Sequence, residues 1–73
     1  MAKIDVSSEM TGSIWKILVQ VGQDVEEGDT LILIEAMKME IPVAASDSGK
    51  VCEILVAEGD MVADGDVVVR LEQ

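Results

Sequence analysis

Glu35-Ala36-Met37-Lys38-Met39-Glu40 lies between two apolar runs, and the reading of this stretch decides the fold. Upstream is Leu31-Ile32-Leu33-Ile34; downstream is Ile41-Pro42-Val43-Ala44-Ala45. Both runs can form strands, and only a few residues separate them. That spacing favours a tight β-hairpin with Met37 and Lys38 at its tip. The tip residues are poor turn formers. A two-residue loop prefers Asn-Gly or Asp-Gly because both central positions need positive φ, which Met and Lys tolerate badly. A costly pair at a tight turn points to a role other than folding. The alternative is a longer turn in which Lys38 is an ordinary surface lysine.

Outward from the hairpin, the chain reads as strands and turns. Lys3 to Ser7 alternates apolar and polar, with Ile4 and Val6 on one side, and predicts a first strand. Gly12 opens a longer β-rich run through Val19. Its apolar residues fall at both parities, so either both faces are partly covered or a bulge shifts the register. Ile14, Ile17 and Val19 are expected inward; Trp15 fits either side. Two glycine turns, at Gly22 and Gly28, then flank the lone apolar Val25, which is expected to plug the core from a very short strand. Pro42 lacks an N–H and belongs on a sheet edge or where its backbone faces solvent.

After Asp47-Ser48 the pattern restarts. Setting Gly12 on Gly49 carries Ser13 to Val19 onto Lys50 to Val56 without a gap. The same shift carries Gly22 onto Gly59, Val25 onto Val62, Gly28-Asp29 onto Gly65-Asp66 and Leu31 to Ile34 onto Val68 to Leu71. A match that carries both turns and the plug signals an internal duplication. Neither copy can bury a core alone. Packed face to face, the two predict an all-β fold: a flattened β-barrel or sandwich of two small antiparallel sheets with pseudo-two-fold symmetry, a barrel-sandwich hybrid. The hairpin is then expected to project from one end, and Glu72-Gln73 to lie beside the first strand at the other. At this length, residues 1–73 form one small domain.

Composition narrows the function. A formal charge of −10 argues against nucleic acid or an anionic membrane as partner. Most carboxylates serve solubility; a weaker reading has them steer docking onto basic enzyme surfaces. The chain has no His and one Cys, which excludes a Ser-His-Asp triad, a histidine metal cluster and a thiolate zinc site. The glycines are single and scattered, so no phosphate loop is present. The lone Cys52 fits the cytoplasm or another reducing compartment and is expected to be a small packed residue. No secretory signal and no span of the ~20 apolar residues that a membrane helix needs is seen. The chain is expected to perform no catalysis itself, and the isolated domain is expected to be a monomer.

The paired half-motifs, the Gly-x-x-Val-x-x-Gly-Asp turns and above all Glu35-Ala36-Met37-Lys38-Met39 together resemble the biotinyl/lipoyl carrier domains, over nearly the whole chain. In biotin carriers the lysine of Ala-Met-Lys-Met is the attachment point, which corresponds to Lys38. Lipoyl carriers show Asp-Lys-Ala there instead. The protruding thumb of some bacterial acetyl-CoA carboxylase carrier subunits, those of fatty acid biosynthesis, has no room between the Gly22 turn and Leu31. A Pro/Ala-rich linker is also absent. The chain is most similar to the small free-standing biotin/lipoyl attachment proteins, and it fits equally an excised domain of a longer carboxylase subunit with Met1 added.

The resemblance implies that a biotin protein ligase makes biotinyl-adenylate and that Lys38 attacks it. Alkyl ammonium groups hold their proton near neutral pH, so the ligase must help remove it while the domain supplies position. A biotin carboxylase would then load the carboxyl group, and a carboxyltransferase would pass it to an acceptor, commonly an acyl-CoA. Met37 and Met39 either pack back on the hairpin as filler or serve as adaptable contacts for several partners. Glu35 and Glu40 flank the tip as solubilising strand ends or, more weakly, help the ligase tell Lys38 from a lipoyl acceptor; Ala36 completes the motif. Two other functions compete: a lipoyl carrier with lipoate on Lys38, and an unmodified structural adaptor on the same scaffold.

Overall fold

The computed structural model describes residues 2–73 and contains eight strands and no helix among them. Met1, which the expected domain includes, lies outside the described residues. The strands are β1 (Lys3–Ser7), β2 (Gly12–Ile17), β3 (Asp24–Val25), β4 (Thr30–Ala36), β5 (Met39–Ala44), β6 (Gly49–Ile54), β7 (Met61–Val62) and β8 (Val67–Glu72). They make two four-stranded antiparallel sheets, ordered β1-β8-β6-β3 and β5-β4-β2-β7. The expected all-β sandwich is therefore what forms. β1 matches its expected bounds, and Pro42 lies on the edge strand β5, opposite Leu33.

One expectation needs correction. The two copies do not stack as separate units; they interleave. β1 and β3 of the first copy share a sheet with β6 and β8 of the second, and the other sheet shows the reciprocal arrangement. The reason lies in the unit itself. Its plug strand has only two residues and needs a long neighbour, and each plug finds that neighbour in the other copy: β3 on β6, and β7 on β2.

The pseudo-symmetry extends to details. The register breaks between Ile14 and Lys16 in β2 and between Val51 and Glu53 in β6, which are equivalent positions. Of the two readings that the mixed parity of the Ser13 to Val19 run allowed, the bulge is the one that forms. It leaves Trp15 41% exposed and the equivalent Cys52 half-buried, its thiol donating to the Arg70 carbonyl at 3.3 Å. Gly22 and Gly59 hold φ near 95° and 94°, and each N–H reaches across to the other copy, to the Val51 and Ile14 carbonyls, both at 2.7 Å. The Gly-Asp pairs have their own reason: Asp29 and Asp66 accept the N–H groups of Glu26 and Ala63 at 2.9 and 2.8 Å, closing equivalent turns.

The core is aliphatic, with Leu31, Ile32, Val51, Val68, Val69 and Leu71 fully buried. Ile14 and Val19 point into it; Ile17 is half-buried and packs against it. Val25 and Val62 seal the two plug positions, 4% and 5% exposed. Because both fill equivalent places, Val25→Ala and Val62→Ala are each expected to cost about 2 kcal/mol by loss of two buried methyls. Urea unfolding of both variants checks this; a cost confined to one would break the energetic symmetry.

The molecule measures 37 × 17 × 17 Å. β1 closes on β8 with Lys3 opposite Glu72, and the Gln73 N–H donates to the Ala2 carbonyl at 2.9 Å. On the solvent face of this sheet, Arg70 donates from Nε to Asp5 at 2.8 Å and from Nη1 to Glu53 at 2.7 Å. The Asp5 hydrogen bond and charge, with a smaller push from Glu53, raise the guanidinium pKa above its already high ordinary value. The clamp ties β1 and β6 to β8, away from the hairpin.

Candidate functional site: the β4–β5 hairpin

Register places Glu35 opposite Glu40 and Ala36 opposite Met39, so Met37 and Lys38 alone make the loop. Their φ values are 52° and 64°, both in the left-handed region. This is the two-residue turn with two positive central φ values that the short spacing predicts, built from residues that dislike it. No other non-glycine among the described residues has positive φ. The strain is therefore confined to the two residues at the apex.

The hairpin base is held tightly. Gly12 of β2 lies against β4 so closely that a Cβ there would sit 2.5 Å from the Glu35 carbonyl oxygen and 3.2 Å from the Ala36 Cβ. Two small residues, Gly12 and Ala36, thus let β2 and β4 run together under the tip. Ala36 is 7% exposed and faces the interior, so its part in the motif is steric support. Met37 is 90% exposed and Met39 61%, so neither packs back as filler. Lys38 is exposed and takes part in no ion pair among the described residues.

Glu35 and Glu40 are both exposed and directly opposite each other. Like charges in that relation oppose strand pairing. They add a negative field at the foot of a lone cation. The arrangement offers a partner one reachable primary amine, fixed in direction by the turn and flanked by two flexible thioethers. Among the described residues no three His, Cys, Asp or Glu side chains are placed to hold a metal, and no helix is long and apolar enough to cross a membrane.

Comparison with known proteins places these features in a family. The family model described as "Biotin-requiring enzyme", of biotin/lipoyl type, matches residues 3–71. A biotinylated protein TB7.3 homolog of Mycolicibacterium smegmatis is 51% identical over 41 residues, 56% of this chain and 58% of that one. The biotin/lipoyl attachment protein of Bacillus subtilis is 46% identical over 40 residues, 55% of each chain. These alignments thus span little more than half the length of the curated relatives. The crystal structure of Kluyveromyces lactis urea carboxylase superposes with a TM-score of 0.93 at 47% identity, covering 99% of this chain and 6% of that one. A single-chain, multi-domain long-chain acyl-CoA carboxylase superposes at 0.86 with 28% identity, covering 93% and 7%.

Proposed function

We propose a biotin carrier role for this chain, which belongs to the biotin/lipoyl domain family, with Lys38 as the residue that takes the cofactor. The observation that carries this reading is the apex itself. A strained two-residue turn displays a solvent-exposed amine with no ion-pair partner among the described residues. The donor fits the group. A primary amine forms an amide with an activated carboxyl, and nothing in the turn blocks its approach. Met37 and Met39 offer soft contacts to successive partners, and Gly12 with Ala36 keeps the hairpin base from shifting under them.

When bound, biotin supplies a ureido nitrogen that accepts and releases a carboxyl group. The domain supplies reach and direction. The lysine stem and the cofactor's side chain extend on the order of 14 Å by ordinary bond lengths, and the tether replaces diffusion with a high local concentration at two active sites. The partners of this reading are a biotin protein ligase, a biotin carboxylase and a carboxyltransferase in the cytoplasm or another reducing compartment. Kinship with domains of urea and acyl-CoA carboxylases supports carboxylase partners; an acyl-CoA acceptor is one such case.

Intact mass and streptavidin binding test the assignment on wild type and Lys38→Ala after incubation with a purified biotin ligase. Wild type gains about 226 Da and Lys38→Ala gains nothing, whereas lipoate would add about 188 Da, formula sums for amide formation on an amine. Labelling that persists in Lys38→Ala overturns the assignment. Met37→Asp is expected to leave stability within about 0.5 kcal/mol, as exposed positions do, while slowing ligase loading. Unchanged loading rates would return Met37 to a passive role.

A further inference from the structure

The hairpin has a neighbour that the carrier role does not use. A groove of about 310 Å³ lies between edge strand β5 and the Ser8–Thr11 connection. Ile34, Ile41, Pro42 and Met10 give it apolar walls, and Ser7 and Glu9 give it polar ones. Its volume sits at the lower end of small-ligand sites, about 300–1,000 Å³. Ile41 is three residues past Lys38, about 10 Å along an extended strand. That is shorter than the tether of on the order of 14 Å. Alternation along β5 puts Met39 on the same face as Ile41, so an apolar track runs from tip to groove.

The internal repeat supplies an independent comparison. The shift that carries Gly12 onto Gly49 also carries Met10 onto Asp47, Pro42 onto Asp5 and Ile41 onto Ile4. The backbone places are equivalent, but two apolar walls on the hairpin side become carboxylates on the other. Asp5 has a structural reason, its ion pair with Arg70 across the strand, where Pro42 faces Leu33 instead. Asp47 takes part in no ion pair among the described residues, so the Met10 difference is the one that strand pairing leaves unexplained. The apolar lining occurs on the side that a label on Lys38 can reach.

Resting on the biotin reading above, we propose that this groove is a resting site for the neutral bicyclic end of the group carried by Lys38. Met10 and Ile41 pack against its thiophane ring. The Glu9 carboxylate and the open edge of β5 accept its ureido N–H groups. A carboxylate in the wall favours a neutral hydrogen-bond donor and opposes an anion, so the site is selective for the uncharged ring.

Amide shifts of the ¹⁵N-labelled domain, unmodified and loaded, test this, with intact mass confirming the load. Loading is expected to move the amides of Glu9, Met10, Ile41 and Ala44. Met10→Asp, which installs the residue found at the equivalent place, should abolish those shifts while loading stays complete. Glu9→Gln, at an exposed position, gives a second variant in which the shifts should shrink. Changes confined to residues 36–40 in the loaded domain overturn the proposal and leave the carrier role intact. If mass shows no label on Lys38, the carrier reading falls instead. Titration of the unmodified domain with biotinamide then decides the groove alone: movement at Met10 and Ile41 supports it, and silence there rejects it.

Discussion

Replacing Met37-Lys38 by Asn-Gly is expected to stabilise the domain by about 1–2 kcal/mol and to abolish biotin loading completely. The two effects share one cause. Both apex residues hold positive φ, 52° and 64°, and a non-glycine residue in the left-handed region costs on the order of 1–3 kcal/mol. Asn-Gly is the pair that this turn prefers, so most of that strain is released without changing the register of β4 on β5. Met37 and Lys38 are both exposed, and no packing is lost in exchange. Urea unfolding should show a higher midpoint at unchanged slope, the signature of a stability change alone. Mass spectrometry should show no added group. A midpoint that falls would mean that the native pair makes stabilising contacts not visible in the fold.

Gly12→Ala is expected to destabilise by about 3 kcal/mol, a large part of what a domain of this size holds. The new Cβ would sit 2.5 Å from the Glu35 carbonyl oxygen and 2.8 Å from the Ile34 Cγ2. Backbone cannot rotate away as a side chain can, so β2 and β4 must separate at the hairpin base. Gly49→Ala is the internal control. Its Cβ would meet the Glu72 carbonyl oxygen at 2.9 Å and otherwise only side-chain atoms at 3.4 Å or more. It should cost less than half as much. Thermal unfolding of both variants, with ligase loading measured below the transition, reads the two effects. Equal losses would show that the closeness of Gly12 to the hairpin base carries no special weight.

Much of the scaffold was legible from local pattern, and the boundary of legibility has a physical cause. Alternation located β1, mixed parity in Ser13 to Val19 narrowed that run to a bulge or two covered faces, and the isolation of Val25 between glycines marked the plug. Each of these is a property of a few adjacent residues. The exchange of the plug strands between the two copies was not legible. A repeat shows which positions are equivalent and placed the chain end beside the first strand, but leaves open whether the short β3 and β7 pair within their own copy or on β6 and β2 of the other. The site divides in the same way. Turn chemistry drew attention to Met37 and Lys38 because their identities conflict with the spacing around them. That Ala36 faces inward depends on the approach of β2, for which Gly12 inside a strand was the available clue. The groove residues Glu9 and Met10 carried no motif; only a comparison with Ser46 and Asp47, their counterparts in the second copy, sets them apart.

The exchange of strands between the copies also bears on the order of events during synthesis. β1 has a single partner in its sheet, β8, so the first strand made waits for the last. Until residues 67–72 clear the ribosome, that sheet lacks the strand that joins β1 to β6, and the nascent chain cannot close its core. Under the carrier role proposed above, a ligase that reads the closed domain rather than the β4–β5 hairpin alone meets its substrate only once residues 67–72 are made.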